Sequence, residues 1–160
     1  MSFLESLAAE WYEYSGYFIR TNVPVLRLKR GGYGAELDVL AFLPKDGQLV
    51  HVETSSDSIP WQEREKRMRK KFNIPLEVYE KALSMEIKKV KKVAICGFSF
   101  RDSGRRWDDI EVTSIRDFIR TIYEALSQKD YMKQVIPERY PLLRAIQMTA
   151  WATKTPTYSV

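Results

Sequence analysis

Apolar residues recur at Leu4, Leu7, Ala8, Trp11 and Tyr14, a spacing that predicts an amphipathic helix over residues 3–15. Ser2 followed three residues later by Glu5 gives it a capping-box start, and Gly16 closes it. The pattern then changes: from Tyr17 to Lys29, β-branched and aromatic residues in alternation predict a strand, with Pro24 marking an edge, a bulge or an interruption. Gly31-Gly32-Tyr33-Gly34 turns the chain. Residues 37–43 and 49–54, separated by Pro44-Lys45-Asp46-Gly47, predict a β-hairpin.

Residues 61–72 predict a very basic helix, 75–90 a second helix begun near Pro75, and 91–98 a buried strand. Helical crossovers imply that this strand runs parallel to its sheet neighbour. Ser114-Ile115-Arg116-Asp117 starts a further helix to residue 127, striped by Ile115, Phe118, Ile119, Ile122 and Leu126. A last helix is predicted over 138–152, and no chemistry is evident in it. The order α-β-β-β-α-α-β-α-α has no internal repeat or linker, so residues 1–152 read as one α/β domain with a loose tail at 153–160.

Two acids stand out against this pattern. Asp38 and Glu53 interrupt the apolar runs Leu37-Asp38-Val39-Leu40-Ala41-Phe42 and Leu49-Val50-His51-Val52-Glu53. Burying an unpaired charge is expensive, so something must compensate them. The hairpin folds them back toward each other. Alternation puts His51 and Ser55 on the face of Glu53, and Val50, Val52 and Thr54 on the opposite one. Paired carboxylates suit Mg²⁺ or Mn²⁺, which bind phosphate. The competing reading is two solvated acids at strand ends. His51, the only histidine, reads as structural or as a proton or metal group.

The segment Gly34-Ala35-Glu36-Leu37-Asp38-Val39-Leu40-Ala41-Phe42, a turn, then Leu49-Val50-His51-Val52-Glu53-Thr54-Ser55 resembles the motif of the PD-(D/E)XK, or restriction endonuclease-like, nuclease superfamily, Holliday-junction resolvases among them. The resemblance implies an α-β-β-β-α-β core, a mixed sheet flanked by helices, with extra helices at the C-terminus. It implies catalytic Asp38 and Glu53 holding Mg²⁺ or Mn²⁺ with the Thr54 carbonyl, and hydrolysis of a phosphodiester by metal-activated water. Many members add an acid from the first helix. Glu10, at the edge of its apolar stripe, is the candidate, a solvated glutamate being the alternative. DNA, branched or structured, is the implied partner, and homodimers are common in the family.

Ser55 stands where the family places its catalytic lysine, and a neutral hydroxyl cannot supply that positive charge. Some members recruit a basic group from the following helix. With Trp61, Glu65, Met68 and Phe72 taken as its inward face, Arg69 lies on one flank and Arg64 and Lys71 on the other, while Lys66 and Lys70 point away. Arg64, Arg69, Lys71 or nothing replaces the charge. In the last case the chain is a catalytically inactive nuclease-fold module that binds nucleic acid or a protein.

Twenty-six Lys and Arg against 21 Asp and Glu give a net charge of +5 and a pI near 9.3, a bias that favours polyanions. Arg64, Arg69, Lys71, Arg105 and Arg106 are candidate DNA contacts, as is the cluster Lys88-Lys89-Val90-Lys91-Lys92, although solubility alone explains many basic surfaces. Tyr17, Tyr33 and Trp107 read as base-stacking or core residues. Cys96, the single cysteine, reads as a core filler. Neither a leader-like N-terminus nor an 18-residue apolar run is evident, which predicts a cytoplasmic chain without a membrane partner.

Overall fold

The computed structural model describes residues 1–97 and 105–154. Phe98, the loop containing Arg101 and the tail beyond Lys154 lie outside the described residues. Six strands, β1 (Phe18–Arg27), β2 (Tyr33–Leu43), β3 (Gln48–Ser55), β4 (Lys89–Cys96), β5 (Arg106–Trp107) and β6 (Ile110–Thr113), form a mixed sheet in the order β1-β2-β3-β4-β6-β5. The first three are antiparallel neighbours, and β4 lies parallel to both β3 and β6. β3 is therefore central.

Helices cover both faces. α1 (Phe3–Tyr14), α4 (Ile115–Ser127) and α5 (Pro141–Ala152) pack on Val39, Ala41, Val50, Val52, Val93 and Ile95. α2 (Trp61–Phe72) and α3 (Leu76–Leu83) cover the other face, where Leu40 and Leu49 meet Tyr79, and Ala94 and Cys96 meet Met68 and Phe72. The capping box of α1 is formed: Ser2 Oγ accepts the Glu5 N–H at 3.2 Å and Glu5 Oε2 accepts the Ser2 N–H at 2.8 Å. Among the described residues, no helix is long and apolar enough to cross a membrane.

Several elements differ from the sequence reading. The helix predicted over 75–90 ends at Leu83, because Ser84 takes a left-handed conformation (φ 55°) and Ile87 turns into the core, so β4 starts at Lys89. The last helix starts at Pro141, whose missing N–H costs nothing at a first-turn position. β2 reaches back to Tyr33, since Gly31 (φ 91°) and Gly32 (φ 80°) make the turn without Tyr33 and Gly34. The short hairpin of β5 and β6 has no counterpart in the sequence reading: four alternating residues are too few to mark a strand.

One irregularity positions the site. The β1–β2 ladder skips Asn22 opposite Asp38 and Leu26 opposite Gly34, and both Asn22 (φ 50°) and Leu26 (φ 59°) are left-handed. The regular β2–β3 ladder also stops at Val39–Val52, one pair short of Asp38–Glu53. At that level side chains take over the hydrogen bonding.

Candidate active site

Asp38 and Glu53 meet where the β2–β3 ladder ends. The Asp38 N–H donates to Glu53 Oε1 at 3.3 Å, and the Thr54 N–H donates to Asp38 Oδ2 at 3.0 Å. Each carboxylate thus satisfies a backbone donor of the opposing strand. Asp38 is 8% exposed and Glu53 is fully buried, so two negative charges lie side by side away from water.

Lys71 compensates them. It sits in the last turn of α2, and its Nζ reaches Asp38 Oδ1 at 3.1 Å, Asp38 Oδ2 at 3.2 Å and Glu53 Oε2. Helix α2 presents Lys71 because its buried stripe is Arg64, Met68 and Phe72, spaced four residues apart, with Glu65 outside it. The inward face is rotated toward Arg64 and Lys71 relative to the face read from the sequence, because Arg64 itself is buried.

Behind Glu53 lies a second buried layer. His51, two residues earlier on β3, is 0% exposed and lies 2.8 Å from Glu53 Oε1 through Nε2 and 2.8 Å from the Tyr79 hydroxyl through Nδ1. Phe72 and Tyr79 close edge-on around its ring at centroid distances of 4.7 and 5.5 Å. Burial keeps the imidazole neutral by pushing its pKa down, against the pull of Glu53. An ionised Glu53 only accepts, so Nε2 carries the hydrogen, and Nδ1 then accepts from Tyr79. The chain Tyr79–His51–Glu53–Lys71–Asp38 is continuous.

The two acids are shifted in opposite directions. Burial would raise the Glu53 pKa, but the His51 hydrogen bond and the Lys71 ammonium outweigh it and hold the carboxyl below its usual range. Burial raises Asp38 and the neighbouring Glu53 charge adds to it, with the Thr54 N–H and Lys71 opposing, so Asp38 is pushed up to about 6. Burial pulls Lys71 down, yet the two carboxylates overcome it and keep it a cation.

The remaining predicted residues fall in three places. Ser55 ends β3, and its buried Oγ has no hydrogen-bond partner among the described residues. Glu10 does not join the pair. Its carboxylate accepts the N–H groups of Leu142 (3.0 and 3.3 Å) and Leu143 (3.0 Å) at the start of α5, where free N–H groups and the helix dipole favour an anion. Burial raises its pKa, against those two N–H donors.

The predicted DNA contacts scatter. Arg64 is 7% exposed, donates to the Asp57 carbonyl and lies 5.7 Å from the Trp61 ring centroid. Arg69 is shared between Glu65 at 2.7 Å and Asp108, so its charge is already neutralised. Arg105 also lies over the Trp61 ring, 5.7 Å from its centroid, and Trp107 is buried 5.1 Å from Trp61. Arg106 is exposed on β5. Tyr17 packs edge-on against Tyr12 at 5.3 Å, and Tyr33 is exposed. Tyr79 was not legible as a site residue: nothing in its spacing on α3 connects it with His51.

An all-oxygen donor pair at a shared cation fits a hard divalent ion. Among the described residues no three His, Cys, Asp or Glu side chains group as a metal cluster, so such an ion would complete its shell with a backbone carbonyl and waters. The unpartnered Ser55 hydroxyl, next on the same face as Glu53, leaves a polar group for a water or phosphate oxygen. The chain matches no protein-family model and no curated protein sequence.

Proposed function

We propose that this protein is a divergent PD-(D/E)XK-type nuclease that hydrolyses phosphodiester bonds in DNA, with Lys71 of α2 in the role of the lysine missing at position 55. The observation that carries the reading is Lys71 Nζ bound to both Asp38 and Glu53. The order α1-β1-β2-β3, crossover helices, then β4 parallel to β3 supports a restriction endonuclease-like core. Asp38, Glu53 and the Thr54 carbonyl would hold Mg²⁺ or Mn²⁺. The bound ion would lower the pKa of a water and offset charge building on the phosphate.

The chain's own groups do the rest. His51 and the Asp38 N–H occupy Glu53 Oε1, which leaves Oε2 directed at Lys71. Lys71, half exposed, can follow an incoming phosphate and place its ammonium beside the negative charge that develops there. Ser55 Oγ offers a hydrogen bond to the attacking water or a phosphate oxygen.

A second reading has its own observation. Lys71 already pairs with both acids, and Glu10 is committed to α5, so the carboxylates have a resident cation without a metal ion. In that case the chain is a nuclease-fold module that binds nucleic acid or a protein partner without cutting. Cleavage of plasmid and branched DNA with Mg²⁺ or Mn²⁺ decides between them. The first reading expects cleavage that is lost in Asp38→Ala and Glu53→Ala; equal cleavage by either variant and the parent removes this site from the mechanism.

A further inference from the structure

Strands β1 and β2 continue as a two-stranded ribbon past the end of β3. The last regular β2–β3 pair is Val39–Val52, whereas β1 and β2 remain paired out to Arg27–Tyr33. Tyr33 is five residues from Asp38 along β2, roughly 17 Å at the rise of an extended strand. The tip therefore stands on the same end of the sheet as Asp38, Glu53 and Ser55. It is open: a side-chain atom added at Gly31 or Gly32 would meet nothing within 4 Å.

The charge of this tip is one-sided. Arg27, Lys29 and Arg30 are all exposed, and no acid occurs between Val25 and Ala35. None of the three forms an ion pair among the described residues, unlike Arg69, Lys91, Lys92 and Arg120 elsewhere on the surface. Glu77 of α3 lines the same pocket as Arg27 but forms no ion pair with it among the described residues, so the tip keeps an excess of exposed cations that fits a polyanion. A two-stranded ribbon is narrow enough to enter the major groove of a duplex, and its cations fit the flanking phosphates. A second copy of this chain would bring the same three charges to a two-fold contact and be repelled.

We infer that the β1–β2 tip is a nucleic-acid-binding arm, with Arg27, Lys29 and Arg30 contacting the phosphate backbone of the same duplex whose scissile phosphate lies at Asp38 and Glu53. The inference rests on the nuclease-fold reading of that site. It places DNA affinity on a surface separate from the arginines of α2 and β5. Such contacts hold the backbone without reading sequence.

The test is fluorescence anisotropy of a labelled duplex longer than one helical turn, titrated at several salt concentrations without divalent metal. Arg27→Gln/Lys29→Gln/Arg30→Gln is compared with Lys45→Gln/Lys129→Gln/Lys133→Gln, an equal charge change at the opposite end of the sheet, in the turn between β2 and β3 and just beyond the end of α4. The arm variant should bind at least about tenfold more weakly and lose about 2.7 from the slope of log K against log salt, as expected for three phosphate contacts. The opposite-end variant should keep the parental slope within about one unit. Equal weakening of both variants, or parental binding by the arm variant, overturns the arm while leaving the active-site reading in place. A parent that binds no duplex at low salt overturns both. Sedimentation of the arm variant checks the rival occupant: a change in self-association with unchanged DNA binding assigns the tip to a second copy instead.

Discussion

The two faces of β3 make different uses of the same strand. Val50 and Val52 face α1, α4 and α5 in a wholly apolar layer, whereas His51 and Glu53, alternating with them, face α2 and α3 in a layer of hydrogen bonds and charge. The first layer gains from every methylene it removes from water. The second must spend hydrogen bonds and a lysine to hold two carboxylates out of water. A strand that needed only stability would have been apolar on both sides, as buried parallel strands usually are. The cost is the reason the charged layer is the one proposed to be functional.

Substitutions on the two layers should separate accordingly. The largest effect is expected at Lys71: Lys71→Met should cut the cleavage rate about a hundred- to a thousandfold, roughly 3–4 kcal/mol of transition-state stabilisation, with Lys71→Arg retaining part of it. Cleavage kinetics on a single duplex measure this, and an unchanged rate would break the functional assignment of the layer. On the other side, Ile122→Ala, a fully buried α4 residue, should cost about 3 kcal/mol in urea unfolding and leave Mn²⁺ affinity unchanged.

The pH dependence is next in size. A carboxyl raised to about 6 in the folded chain binds more protons than it does unfolded, so its contribution to stability is full below about pH 4 and is lost as pH rises through about 6. Discounted for its partial contact with solvent, the loss should be about 1–2 kcal/mol, and Asp38→Asn should remove that part of the stability–pH slope. Divalent-metal affinity should move the opposite way, rising through the same interval as the proton leaves. The smallest effect belongs to Glu10: Glu10→Gln should lower stability by about 0.5 kcal/mol through α5 and leave cleavage untouched. A large activity loss there would return Glu10 to the site.

How far the sequence reaches is clear from particular residues. The period-two pattern of Leu49 to Thr54 separated the faces of β3, and the apolar setting of Asp38 and Glu53 signalled that they need a partner. The identity of that partner was left open among Arg64, Arg69, Lys71 and none, because the choice depends on how α2 is rotated about its axis. That rotation turns Arg64, Met68 and Phe72 inward, with Arg64 donating to the Asp57 carbonyl of the segment before the helix, and apolar spacing does not foresee a buried arginine. Glu10 misled for a related reason: the edge of an apolar stripe can face either a sheet end or another helix, and α5 arrives from more than 130 residues away. Helix ends set by single residues, such as left-handed Ser84, were also beyond a periodicity argument.

The kinks in β1 bear on how the protein keeps to itself at high concentration. β1 is an outer strand of ten residues with one side of its backbone unpaired among the described residues, which is the geometry that recruits a strand from another chain. Left-handed Asn22 and Leu26 put its peptide groups out of line, and Pro24 between them has no N–H to offer. A foreign strand would find no run of regular donors and acceptors between the two kinks. The bends opposite the candidate site thereby also protect the sheet against edge-to-edge aggregation.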